Sequence, residues 1–294
     1  MNYIIEYEIC AIACVVVIFI SFLRSHFFPS IQNRLFGTLL AFTIADLVLD
    51  VITAITIEHV LTLPFWLNYF LNTLFYSMQM IFPVIALFYV ISISGKLWSM
   101  SIKKILLAIS AGAFALIGLI FINPFTKVLF YIDPVKGYSY GPLFIFLHVI
   151  SSVYLLIIIS YLIKHKKAIK HNQLVSAVWF VSLIIAAIIL QLLIPSLLIL
   201  GPVIGIAVSV MYFMLQNPRD MVDYQTKTLN YNAFIQCLNE LIMEKSLLYL
   251  ISVDLYNMPY ISRIFGIKSS NMLMYEIAKF LKGDSKKVWV FRTT

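Results

Sequence analysis

Residues 35–57 read LFGTLLAFTIADLVLDVITAITI, an apolar run whose only charges are Asp46 and Asp50. About 20 residues of this kind cross the hydrocarbon core of a bilayer as a helix. The helix is required because lipid offers no partner for a bare backbone N–H or C=O. Working outward, six more runs have the same character: Ile4–Leu23, Leu67–Ser94, Ile102–Ile122, Leu143–Ile163, Leu174–Ile194 and Leu197–Leu215. Only Pro195 and Ser196 separate the last two. A merged run would be too long for one crossing, and a proline breaks a helix. The expected fold class is a membrane all-α seven-helix bundle over residues 1–216, followed by a partial α/β domain over residues 217–294.

Composition points the same way. Of 294 residues, 62% are hydrophobic and 12% are charged, and the mean hydropathy is +0.97. A soluble domain is roughly half apolar and about a quarter charged. A single soluble globule, a disordered chain and a disulfide scaffold are therefore excluded. Residues 1–216 hold 11 of the 21 Lys and Arg and six of the 13 Asp and Glu, so the last part of the chain is much the more densely charged. The net charge of +8 is explained by basic loops at a membrane, with no nucleic-acid partner. The three cysteines, Cys10, Cys14 and Cys237, make no disulfide framework. Cys10 and Cys14, one helical turn apart, read as small core residues.

Loop charges set an orientation. Arg24, Arg34, Lys96, Lys103, Lys104, Lys164, Lys166, Lys167 and Lys170 fall on one side. Lys127 and Lys136 fall on the other, with Glu6, Glu8, Glu58 and Asp133. Basic loops stay in the cytoplasm. The protein is expected in the cell membrane as a multi-pass chain, N-terminus outside and C-terminus cytoplasmic, with the lipid bilayer as its first partner.

Polar groups inside a span are costly and need a reason. Asp46 and Asp50 are four residues apart, on one helix face. They read as a ligand, cation or proton site, or as a contact between helices. Asn68, Asn72 and Gln79 share a face of the third span, and His148 and Gln191 add single polar groups. The membrane ligand candidates are therefore Asp46, Asp50, Asn72, Gln79 and His148, able to line one pocket for a small ligand. The outer segment Asn123–Gly141, with two prolines, reads as a turn-rich connector or a lid.

From Asn217 the composition becomes that of a soluble domain. A helical pattern covers Tyr231–Glu244, with Phe234, Cys237, Leu238 and Leu241 on one face. Leu247–Leu255 fits a buried strand. A short helix over Met258–Phe265 stops at Gly266. Another begins near Ser269 or Ser270 with Leu273, Ile277, Phe280 and Leu281 on its face, and Lys287–Phe291 reads as a second strand. Asp223-Tyr224-Gln225-Thr226, Leu229-Asn230 and Ala233-Phe234 resemble the opening motif D-x-L-T-G-L-x-N-R-x-x-F of GGDEF domains, the fold of diguanylate cyclases. Val253-Asp254 through Gly266, the helix with Met274, Ile277, Ala278 and Leu281, and Val290-Phe291-Arg292 resemble the segments that follow it. The spans are similar in organisation to membrane modules found before bacterial signalling domains.

The resemblance implies a tail linked to cyclic di-GMP. In the family an Asp after the first strand holds divalent metal, and Asp254 stands at that position. The resemblance also marks departures. The second acid of that pair is Tyr256, and the Gly and Arg of the opening motif are Lys227 and Tyr231. The positions that read guanine hold Ser262 and Asn271, so no nucleotide-binding residue is carried over. The sequence ends near the place of the signature hairpin. The expectation is a degenerate, incomplete GGDEF-like module without cyclase activity and without cofactor, with Mg2+ only if the Asp254 site works. No other catalytic motif is present. The reading is a membrane signalling protein that senses through its helices and relays to this module, which then meets a cytoplasmic partner or a second copy. The alternatives are a small ion or solute transporter or channel using Asp46 and Asp50, and the N-terminal part of a longer active GGDEF protein.

Overall fold

The structure, a computed structural model, describes residues 5–24, 30–60, 62–94, 97, 100–133, 137–169, 171–194, 198–215, 221–243, 247–283 and 288–293. Its elements fall into two units, Met1–Arg24 with Arg34–Gln216, and Ser25–Asn33 with Asn217–Thr294.

The first unit is helical. It contains α1 (Glu6–Arg24), α2 (Ile31–Glu58), α3 (Phe65–Ile93), α4 (Met100–Thr126), α5 (Phe144–His165), α6 (His171–Leu193) and α7 (Leu200–Leu215). Six of these are long and apolar enough to cross a membrane, and α7 is apolar but shorter, at 16 residues. The spans expected at 35–57 and 102–122 extend to Ile31–Glu58 and Met100–Thr126. The expected start of the last span, residue 197, lies outside the described residues, as do Pro195 and Ser196.

Outward faces are as apolar as the core. On α5, Leu147, Leu155 and Ile158 are buried while Phe146, Val149, Val153 and Leu156 are exposed. A helix apolar all round belongs in a core or in lipid, and these exposed faces suit a bilayer. Several hydroxyls are satisfied within their own helices, whereas those of Thr73 and Ser176 are buried without a partner. Thr43 donates to the Leu39 carbonyl at 2.8 Å and Ser77 to the Thr73 carbonyl at 2.7 Å, as lipid requires.

Packing pairs α7 with α1 and α6, and α3 with α4 and α5. Phe36 is the centre of an aromatic cluster, 5.6 Å from Phe22, 5.4 Å from Tyr89 and 6.2 Å from Tyr212 between ring centroids. Ser21 of α1 and Tyr212 of α7 share a hydrogen bond of 2.8 Å. Cys10 and Cys14 are exposed on α1, correcting the expectation that they are core residues. The buried face of α1 is carried by Glu8, Val15 and Ile18 instead.

Between α4 and α5 the expected connector folds as a hairpin, β1 (Phe130–Asp133) antiparallel to β2 (Gly137–Tyr140). Asn123, fully buried, ties down its base. Its side-chain oxygen accepts from the Leu129 amide at 2.8 Å, and its nitrogen donates to the Phe130 carbonyl at 2.9 Å. The Ile132 amide donates to the Tyr69 hydroxyl of α3 at 3.1 Å.

The second unit contains β3 (Leu229–Asn230), α8 (Tyr231–Met243), α9 (Met258–Lys282) and β4 (Phe291–Arg292). β3 and β4 pair in parallel. α8 packs Phe234 against Phe291 at 5.5 Å between centroids. α9 is broken at Gly266, whose φ of 81° and ψ of 160° are not helical, so the expected stop falls where the sequence placed it. Three expectations fail in whole or in part. Leu247–Leu255 is not a strand and lies open, with Tyr249 98% exposed. The expected second strand is limited to Phe291–Arg292, and its start at Lys287 lies outside the described residues. A strand is made by its hydrogen-bonded neighbours rather than by local pattern, and among the described residues none pairs with 247–255. Phe280, expected on a packed face, is exposed.

Candidate functional site

Asp46 and Asp50 occupy one face of α2, as their spacing requires. Asp50 opens into a cavity of about 240 Å³ lined also by Asn72 and Gln79 of α3, His148 of α5 and Gln191 of α6. Asp46 lines an adjoining cavity of about 50 Å³. Gln79 and His148 line both. The five membrane candidates read from sequence thus converge on one pair of cavities. Asn68 does not. It is fully buried on α3 with both amide atoms unpartnered, and it lines neither cavity.

Aromatic groups form the rest of the larger cavity. Phe75 and Tyr76 come from α3, Phe144 from α5, and Tyr138 and Tyr140 from the hairpin. The Tyr76 and Tyr138 hydroxyls share a hydrogen bond of 2.6 Å. Tyr140 and Phe144 stand 4.2 Å apart between centroids. The hairpin is therefore a wall of the cavity and is fastened to α3.

Two acceptors beside this space are buried and unpartnered. Asn72 is 1% exposed, and its nitrogen donates to the Asn68 carbonyl at 2.9 Å. A carbonyl only accepts, so the amide cannot be turned the other way. Its oxygen is left without a partner. One oxygen of Asp46, which is 5% exposed, is likewise unpartnered. Gln191 already accepts from the Leu200 amide at 3.2 Å. Gly201 lets the start of α7 approach closely. A Cβ there would stand 3.4 Å from an Asp50 oxygen and 3.0 Å from Leu47.

Sequence reasoning missed Glu8. It read as an outer charge, yet it lies inside α1, fully buried, with both carboxylate oxygens unpartnered. The signal was available, because Glu8 falls seven residues before the buried Val15, on the same helix face. The aromatic wall was also missed, since Phe and Tyr are common throughout these spans.

In the tail, Asp254 is exposed. Ser262 is half-buried and donates to the Ser270 hydroxyl at 2.7 Å, and Asn271 is half-buried. Among the described residues no three His, Cys, Asp or Glu side chains converge to hold a metal ion. The best-built polar cluster there is centred on Asp223, whose side chain accepts from the Thr226 amide and hydroxyl, both at 2.8 Å, and from Arg292 at 3.1 Å. Arg292 also bonds Gln225.

No protein-family model matches this sequence, and comparison with curated proteins and with solved structures returns no match.

Proposed function

We propose that this chain is a multi-pass membrane signalling protein. It crosses the bilayer seven times with its N-terminus outside, takes a small ligand between its helices, and relays occupancy to a degenerate GGDEF-like module in the cytoplasm. The observation that carries the reading is the larger cavity, where the buried Asn72 of α3 and half-buried polar groups from α2, α3, α5 and α6 meet beneath a hairpin. Polar groups in a membrane interior are expensive unless they serve a function.

Three features support the tail reading. The segment resembling the opening motif and the segment resembling the strand before the signature are joined by β3–β4 pairing and by the Asp223–Arg292 ion pair. Lys227, at the motif's glycine, has a φ of 54°, the left-handed backbone a glycine favours. The helix break at Gly266 falls where the motif has its glycine. With Asp254 exposed and Ser262 and Asn271 at the guanine-reading positions, the module regulates or binds a partner rather than making cyclic di-GMP.

One arrangement favours a second reading. Asp50 in the larger cavity and Asp46 in the smaller follow one another along α2, as acids in an ion path do. The two readings separate in the full chain reconstituted in lipid. Under the signalling reading, Asp50→Asn changes hydrogen exchange of residues 221–243 by at least threefold, and vesicles pass no Na+ or H+. A cation flux abolished by Asp50→Asn, with tail exchange unmoved, overturns signalling in favour of transport.

A further inference from the structure

The cavity's own chemistry says what it takes. Its charged side chain is Asp50, and no Lys or Arg is among the described residues that line it. The missing complement is a positively charged hydrogen-bond donor. Among the described residues no three His, Cys, Asp or Glu side chains converge here, and metal binding needs several oxygens at one centre, which favours an organic cation over a bare metal ion. It also has a body. The volume of about 240 Å³ falls just below the ~300–1,000 Å³ of drug-sized pockets. Tyr76, Phe144 and Tyr140 present ring surface, which attracts an ammonium as well as apolar carbon.

We infer that the cavity binds a small organic ammonium, its N–H groups on Asp50 and its apolar body against the rings beneath the hairpin. This rests on the proposal that the helices hold a ligand, and it names the chemical class of that ligand.

The test uses the full chain in lipid nanodiscs, with benzylamine and phenethylamine as probes. Benzyl alcohol and 2-phenylethanol are the matched neutral molecules. Saturation-transfer NMR titrations give each dissociation constant. At least one amine is expected to bind saturably and at least tenfold more tightly than its alcohol. Asp50→Asn should weaken that amine at least tenfold without moving the alcohol. Tyr140→Leu, which removes a ring from the cavity wall, should weaken the amine at least threefold and more than it weakens the alcohol, and this arm decides the matter if Asp50→Asn does not fold. Amine and alcohol binding alike, neither amine binding, or an affinity unmoved by both substitutions overturns the inference. Amine binding that leaves tail exchange unchanged refutes the signalling reading alone and leaves the ligand class standing.

Discussion

Asp223 holds together two stretches of the tail 69 residues apart in sequence. Burial pushes its carboxyl up, but the Thr226 amide and hydroxyl and the Arg292 guanidinium outweigh this and hold it below the usual carboxylate range. A group whose pKa is lowered by folding adds stability above its unfolded value, near 3.9, and loses it as pH falls through the folded value. Exchange protection of 221–230 is therefore expected to fall below about pH 4 in the wild type. Asp223→Asn should be less protected at pH 7, by about 0.5–1 kcal/mol, the range for a pair of this exposure. Its protection relative to wild type should recover toward acid pH. A difference that is the same at pH 7 and pH 3 contradicts the linkage. Charge in an apolar run was also what made the membrane site legible. Asp46 and Asp50 stand out from 35–57, whereas Glu8, near the start of its run, read as a loop acid.

The hairpin is held by one side chain and one missing side chain. Asn123 bonds the backbone of Leu129 and Phe130 from a buried position. A Cβ on Gly141 would collide with the Val128 carbonyl, backbone that cannot turn aside. Removing the Asn123 amide leaves buried backbone groups unpaired at about 1–3 kcal/mol. Asn123→Ala is expected to raise exchange at 130–140 by tenfold or more and to lower the thermal midpoint in detergent. Gly141→Ala should do the same, whereas Thr62→Ala, in the exposed α2–α3 turn, should not. Unchanged exchange at 130–140 in Asn123→Ala would mean the hairpin stands without its anchor. The hairpin itself was invisible in the sequence, because FYID and GYSY are too short to set a period. Leu247–Leu255 failed in the opposite sense, its pattern fitting a strand for which the described residues offer no neighbour. The long helices were legible because the bilayer imposes a length that any sequence must meet.

For the whole molecule, orientation and the role of α7 are decided by charge and length. Nine cations lie in or beside the α1–α2, α3–α4 and α5–α6 connections, against Lys127 and Lys136 on the other side. At about 1 kcal/mol per cation near an anionic surface, an excess of seven favours one orientation by roughly 7 kcal/mol. In the proposed orientation the α5–α6 connection is cytoplasmic and the α2–α3 connection external. The position of the tail depends on α7 alone. Its 16 residues, at 1.5 Å each, span about 24 Å, against ~30 Å of hydrocarbon. Local thinning or snorkelling closes a gap of this size at a fraction of a kcal/mol per Å, so the length of α7 is compatible with the crossing that the proposed topology requires. Single cysteines at exposed positions test this in a chain whose native cysteines are replaced. Thr62→Cys should react with an impermeant thiol reagent on intact cells, and Ala168→Cys and Tyr256→Cys only after permeabilisation. Reaction of Ala168→Cys on intact cells reverses the orientation. Reaction of Tyr256→Cys on intact cells, with Ala168→Cys protected, leaves six crossings with α7 turning back, and it places the tail outside, where it could not serve a cytoplasmic signal.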